Sequence, residues 1–229
     1  MTAQMAAQKT AQKTALYRYL MHSVLLSQRY LPPMLIFFGA LAVGTASDNG
    51  PLQSSYAFGV LVMLVCSTWL TVAIVNHEDP TQRQITLVTV GSSLRVLAVT
   101  IAVVVTWCVP LVLFGLICPL VTGDHQATVG DVLVGALALL APAMIGIAIG
   151  VLCSRLLIRR IGLAMLAAAT LILLMTVRRI SPVSALMKVL SDDKPATTNA
   201  VPLTLLAVLC LAVLVAAVLV VRTVSDRRE

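Results

Sequence analysis

Apolar residues fall along this chain in long blocks, and the ionisable residues are confined to the stretches between them. Six windows hold no Asp, Glu, Lys, Arg or His: Tyr30–Ser47, Asn49–Asn76, Val96–Gly123, Val132–Ser154, Ile161–Val177 and Pro195–Val221. A helix crosses the hydrocarbon core of a bilayer with about 17–25 mostly apolar residues. A run of Leu, Val, Ala and Ile satisfies its own backbone amides in lipid by forming a helix. The blocks therefore predict six transmembrane helices, near 32–47, 56–75, 95–118, 131–153, 161–177 and 202–221. The first and fifth are short. Taken singly, each block also fits a buried helix of a soluble protein, but six in one chain do not.

Three shorter stretches carry helical periodicity instead. In Ala15–Leu31 the positions Leu16, Leu20, Val24, Ser27 and Leu31 form one stripe, with Arg18, His22 and Arg29 mostly elsewhere around the axis. This predicts an amphipathic helix on the membrane surface, which Pro32-Pro33 then ends or redirects. In Ile180–Leu190 the residues Ile180, Val183, Leu186, Met187 and Leu190 predict a second, shorter one at the opposite interface. In the connection Asn76–Arg95, Asp79 or Thr81 is placed to cap a helix, Pro80 suits its first position and Gly91 its end. That helix of about ten residues would carry acidic residues at its start, where they complement its dipole. Its Ile85, Leu87 and Val88 are available for a partner's groove. The other reading of this connection is a solvated loop.

Composition agrees. The 229 residues are 59% hydrophobic and 11% charged, against about 25% charged in ordinary soluble domains. This excludes a cytoplasmic domain and a disordered tail. A net charge of +7 invites a nucleic-acid reading, but the basic residues are sparse and aromatics are only 4%, too few for base-stacking platforms. No nucleic-acid partner is expected; membrane lipid is.

The charges set a topology. Lys9, Lys13, Arg18 and Arg29, then Arg83 and Arg95, then Arg155, Arg159 and Arg160, then Arg222, Arg227 and Arg228 all fall on one side of an even number of spans. By the positive-inside rule that side, with both termini, is cytoplasmic. Arg178, Arg179, Lys188 and Lys194 are the exception, on the outer side. The outer amphipathic helix accounts for them; a re-entrant fifth span would place the last quarter differently. No cleavable signal peptide is evident ahead of the first apolar block. The fold class expected is all-α. Residues 1–31 form a cytoplasmic segment with an interfacial helix, 32–221 a six-helix transmembrane domain and 222–229 a cytoplasmic tail.

Candidate chemistry is scarce. Polar groups at depth are costly and mark function in membrane proteins, yet no Glu, Lys or His lies inside a predicted span, and the one Asp, Asp131, stands at the first position of the fourth. His22, His77 and His125 fall in separate regions, so a metal site, a proton relay or a membrane protease is not expected. Cys66, Cys108, Cys118, Cys153 and Cys210 are widely spaced in or beside apolar blocks and read as small packing residues. No glycine precedes a lysine, so a nucleotide-binding loop is absent. Gly146 and Gly150 form a small-xxx-small pair for close helix approach, either within the chain or at a dimer seam. Pro110, Pro119 and Pro142 suggest bends.

An N-terminal interfacial helix, six spans and the pattern Asn76-x-Glu78-Asp79 leading to Ile85-Thr86-Leu87 together resemble the permease subunit of ABC transporters of the type-2 exporter family. There the second connection often reads Glu, Thr, Leu-Leu, then Pro or Gly, Ser and a basic residue. Here Glu78, Thr81 or Thr86, Leu87, Gly91, Ser92 and Arg95 take those roles, with Gly91 in place of the usual proline. The resemblance covers the whole chain in topology and residues 76–97 in pattern. It implies a second permease, as homodimer or heterodimer, and separate ABC ATPase subunits holding ATP and Mg, with no cofactor in this chain. Residues 77–90 would be the ATPase-coupling helix, involving Glu78, Asp79, Thr81, Arg83, Ile85, Leu87 and Val88. The N-terminal helix, with Arg18, His22 and Arg29, would bear on the ATPase too. An amphipathic or lipid-like substrate would pass between subunits along spans one, two and five, across a bacterial-type inner membrane. A haem-exporter permease is the nearest relative entertained, although no His supplies a haem ligand. A non-transporting membrane scaffold or regulatory subunit is the alternative from a different class.

Overall fold

The computed structural model describes residues 2–46, 52–78, 80–122, 128–155, 157, 160–177, 181–191 and 196–226. Among them the chain forms nine α-helices and no strand: α1 (Thr2–Ser27), α2 (Leu31–Thr45), α3 (Leu52–Val75), α4 (Pro80–Val90), α5 (Ser93–Thr122), α6 (Val129–Leu152), α7 (Ile161–Val177), α8 (Pro182–Ser191) and α9 (Ala196–Asp226).

Four helices are each long and apolar enough to cross a membrane, over Ser55–Val75, Ser93–Thr122, Val129–Leu152 and Val201–Thr223. These are the expected second, third, fourth and sixth spans. The expected first and fifth do not qualify as single helices. They exist as α2 and α7, but α2 has 15 residues, about 22 Å at 1.5 Å per residue, and falls short of the ~30 Å hydrocarbon core. Each qualifies only together with a bent neighbour: α1 with α2 across a 70° break, and α7 with α8 across 45°. Length and composition thus support four to six spans.

The centre of the bundle is a parallel pair, α3 and α6, matched in register. Tyr56 lies on Gly135, Ser67 on Gly146, and Thr71 on Gly150. Beyond the helix ends the Arg155 amide donates to Asn76 Oδ1 at 2.9 Å across 79 residues; all four pairs share that offset. Glycine is required along this seam. A Cβ at Gly146 would lie 2.9 Å from the Leu64 carbonyl oxygen, and one at Gly150 would lie 2.9 Å from that of Thr68. The hydroxyls of Ser67, Thr68 and Thr71 donate to the carbonyls of Leu64, Leu64 and Ser67, so none of these three is left open where the two backbones meet.

Helices α2 and α5 run antiparallel to this pair and are clamped together by aromatic contacts, Tyr30 with Trp107 and Phe38 with Phe114, at centroid distances of 4.1 and 4.5 Å. At their far ends Thr122 Oγ1 donates to Thr45 Oγ1 at 3.1 Å. Helix α9 lays Leu203, Cys210, Leu214, Ala217 and Val221 into the core, mostly over α6, and leaves the rest of its apolar surface open. Only 22% of its spanning window is covered. Helix α7 is peripheral: Leu163, Met165, Leu166 and Leu173 are all exposed, and Ala164 is its buried contact.

Several local expectations change. The stripe Leu16, Leu20 and Val24 exists, but it is buried in the protein core with Val96 and Leu97 of α5 rather than turned to lipid. Helix α1 starts at Thr2, well before Ala15, because the Ala-, Gln- and Lys-rich stretch has high helix propensity. It ends at Gln28, held in the left-handed region at φ 54°. Pro32 and Pro33 therefore open α2, where their missing N–H groups cost nothing, instead of closing α1. Helix α8 forms as expected, yet Val183, Leu186 and Leu190 are buried against α3 and its neighbours, so its apolar face belongs to the protein. Ile180, Arg178, Arg179 and Lys194 lie outside the described residues. Helix α9 continues through Asp226, so the tail expected from residue 222 begins as helix.

Candidate docking surface

Helix α4 connects the two spans α3 and α5 and lies at one end of the bundle. Pro80 opens it and Gly91, at φ 67°, closes it. Thr81, one of two expected caps, is already the second helical residue; Asp79, the other, lies outside the described residues. Two fixings hold the C-terminal end. Val90 is buried in the core, and Arg95 Nη1 donates to the Val90 carbonyl at 3.3 Å. A third comes from α1, where Gln12 Nε2 donates to the Thr89 carbonyl at 3.0 Å.

The outer face of α4 is open. Thr81, Gln82 and Gln84 are exposed, and two large apolar side chains stand among them, Ile85 at 62% and Val88 at 84% exposure. Holding both in water forfeits their burial, worth roughly 1.5–3 kcal/mol each. The side chains of Arg83 and Leu87 lie outside the described set. Glu78 sits just before the helix, half-buried, with Oε1 shielded from solvent. It is a junction residue at the base of α4 more than a projecting one.

The same end of the bundle gathers other connections. Ser23 of α1 hydrogen-bonds His77 Nε2 at 2.8 Å, next to the Asn76–Arg155 bond. So the end of α3, the flank of α1 and the connection after α6 share one layer. Arg18 and His22 line a shallow cleft on the exposed flank of α1 with Tyr19, Ser23 and Leu26, and Arg29 is exposed in the turn before α2. Gly146 and Gly150 belong to a different feature, the buried α3–α6 seam, which makes them internal packing residues and removes the dimer-seam alternative.

Sequence reasoning missed two of the partners that hold this layer, Gln12 and Ser23, each an isolated polar residue without a motif; Asn76 stood in the quoted pattern, but its bond to the Arg155 amide did not show there. The hydroxyls at Ser67 and Thr71 did carry a signal, since their i, i+4 spacing mirrors that of Gly146 and Gly150. Among the described residues no group of three His, Cys, Asp or Glu could hold a metal ion. His125 lies outside them. The five cysteines are all buried and unpaired.

The class defined by these features is an all-helical chain with four to six helices able to cross a membrane. No family model, curated protein or solved structure matches it.

Proposed function

We propose that the chain is the membrane-spanning subunit of an ATP-driven exporter, similar in plan to type-2 ABC permeases, with ATP hydrolysis in separate subunits. In this reading α2 and α7 complete six passes, both termini face the cytoplasm of a bacterial-type inner membrane, and α1 and α4 form the cytoplasmic docking layer. The observation that carries it is α4: a short helix between two spans, anchored at one end, presenting Ile85 and Val88 to water. A helix entering a partner's groove uses such anchors. Because α4 is fixed through Val90 and Arg95 to the start of α5, motion of a bound ATPase would reach a membrane span directly. The uncovered apolar faces of α7 and α9 suit lipid and a second permease, and an apolar interior suits an amphipathic or lipid-like substrate.

The test is purification of the tagged full-length chain from its native host in mild detergent. Retention of an ATPase with a phosphate-binding loop by the wild type, and its loss in Ile85→Asp/Val88→Asp, is the expected result. A chain that purifies without any ATPase overturns the exporter reading and favours a membrane scaffold.

A further inference from the structure

An open groove of about 570 Å³ runs between α1 and the first turns of α5. Its floor along α5 is Leu94, Ala98, Val99 and Ala102, a rise of about 12 Å from first to last at 1.5 Å per residue. Lys13 of α1 and Arg95 of α5 line the same groove, and no acidic residue does among those described. Arg95 is half-buried, and Lys13, Ala98 and Ala102 are exposed. Beyond Ala102, Tyr17 Oη and Thr106 Oγ1 bond each other at 2.8 Å, so the groove runs up to hydroxyls that already satisfy one another.

We propose that this groove is a binding site for one anionic phospholipid, with the phosphate between Lys13 and Arg95 and an acyl chain laid along Ala98 and Ala102. Three observations support this occupant. Lys13 and Arg95 line one groove with no carboxylate among its described lining residues, and the Arg95 guanidinium spends one N–H on the Val90 carbonyl, leaving the others for an anion. The two cations sit where a spanning helix begins, at the depth where basic side chains meet lipid headgroups. The α5 wall is apolar, and on the α1 wall the hydroxyls of Thr14 and Tyr17 are already bonded to the Thr10 carbonyl and to Thr106 Oγ1, which leaves an apolar trough for a chain. The site is independent of the exporter reading and requires only that α5 spans the bilayer.

The experiment is native mass spectrometry of the full-length protein in detergent, titrated with phosphatidylglycerol, phosphatidylcholine or inorganic phosphate. Wild type is expected to retain phosphatidylglycerol over phosphatidylcholine. Lys13→Gln should weaken phosphatidylglycerol binding about fivefold, given the usual contribution of one basic residue at a membrane surface, and Lys13→Gln/Arg95→Gln should weaken it further. Ala102→Leu, filling the trough with the cations intact, should also weaken it. Lys13 and Ala102 are exposed, so these single variants carry the test even where the Arg95 change impairs folding. Equal retention of both lipids, or unchanged binding in Lys13→Gln and Ala102→Leu, overturns the proposal. Inorganic phosphate displacing phosphatidylglycerol at matched concentration overturns it as well, leaving a simple anion site.

Discussion

Gly150 of α6 and Thr71 of α3 lie so close that a Cβ added to the glycine would sit 2.5 Å from the threonine Cβ. That contact belongs to a seam running from Tyr56–Gly135 to Asn76–Arg155, along which two helices far apart in sequence pack in parallel. Helix association in lipid lacks a large hydrophobic driving force and depends on such close packing.

The seam makes opposite predictions for chemically identical substitutions. Gly150→Ala meets backbone oxygen at 2.9 Å and should destabilise the protein by about 1–3 kcal/mol, as overpacking does. Gly39→Ala and Gly162→Ala meet nothing within 4 Å and should be neutral or stabilising by up to about 1 kcal/mol through helix propensity. Thermal unfolding in detergent distinguishes them; equal effects at the three positions would count against the register described.

Coupling gives a second prediction. On the proposed exporter reading, Glu78→Ala at the base of α4 should lower transport-coupled ATP hydrolysis of the chain with its ATPase while membrane insertion stays normal. Normal coupled turnover in this variant would remove Glu78 from the coupling path.

Tyr56 is fully buried, and its hydroxyl has no hydrogen-bond partner among the described residues. Burying such a group costs about 1–3 kcal/mol. Tyr56→Phe keeps the ring on Gly135 and removes the cost, so the unfolding midpoint should hold or rise. A clear fall would reveal a bonded hydroxyl.

The cysteines offer a fourth check. All five are buried, and at Cys153, just past the end of α6, burial also pushes the thiol above its ordinary pKa, which depletes the reactive thiolate. Native protein should resist maleimide labelling at pH 7, with little gain at pH 8, and all five should label after denaturation. Rapid labelling of the native chain would mean that one of these packing sites opens.

Hydrophobic blocks and turn residues carried much of this architecture. Four spans fall where the charge-free windows lie, and Pro80 and Gly91 bound α4 as their chemistry requires. These are local properties: hydropathy, a missing amide, a tolerated positive φ. Stripes were legible as stripes, but their destination was not. Leu16, Leu20 and Val24, and likewise Val183, Leu186 and Leu190, read as lipid-facing and are buried in protein, because an apolar face is equally content with either.

By itself, then, the sequence determined that the chain is helical, that at least four helices can cross a membrane, and that a polar connection with its own helix lies between two of them. Only the tertiary structure decided that Gly146 and Gly150 serve α3 within the chain, that α1 lies on α5 with Lys13 and Arg95 lining one groove, and that Asn76, Ser23 and Gln12 tie the connections into one layer. Burial and periodicity act along one helix, whereas these relationships join residues from about 50 to 80 positions apart and depend on which faces meet.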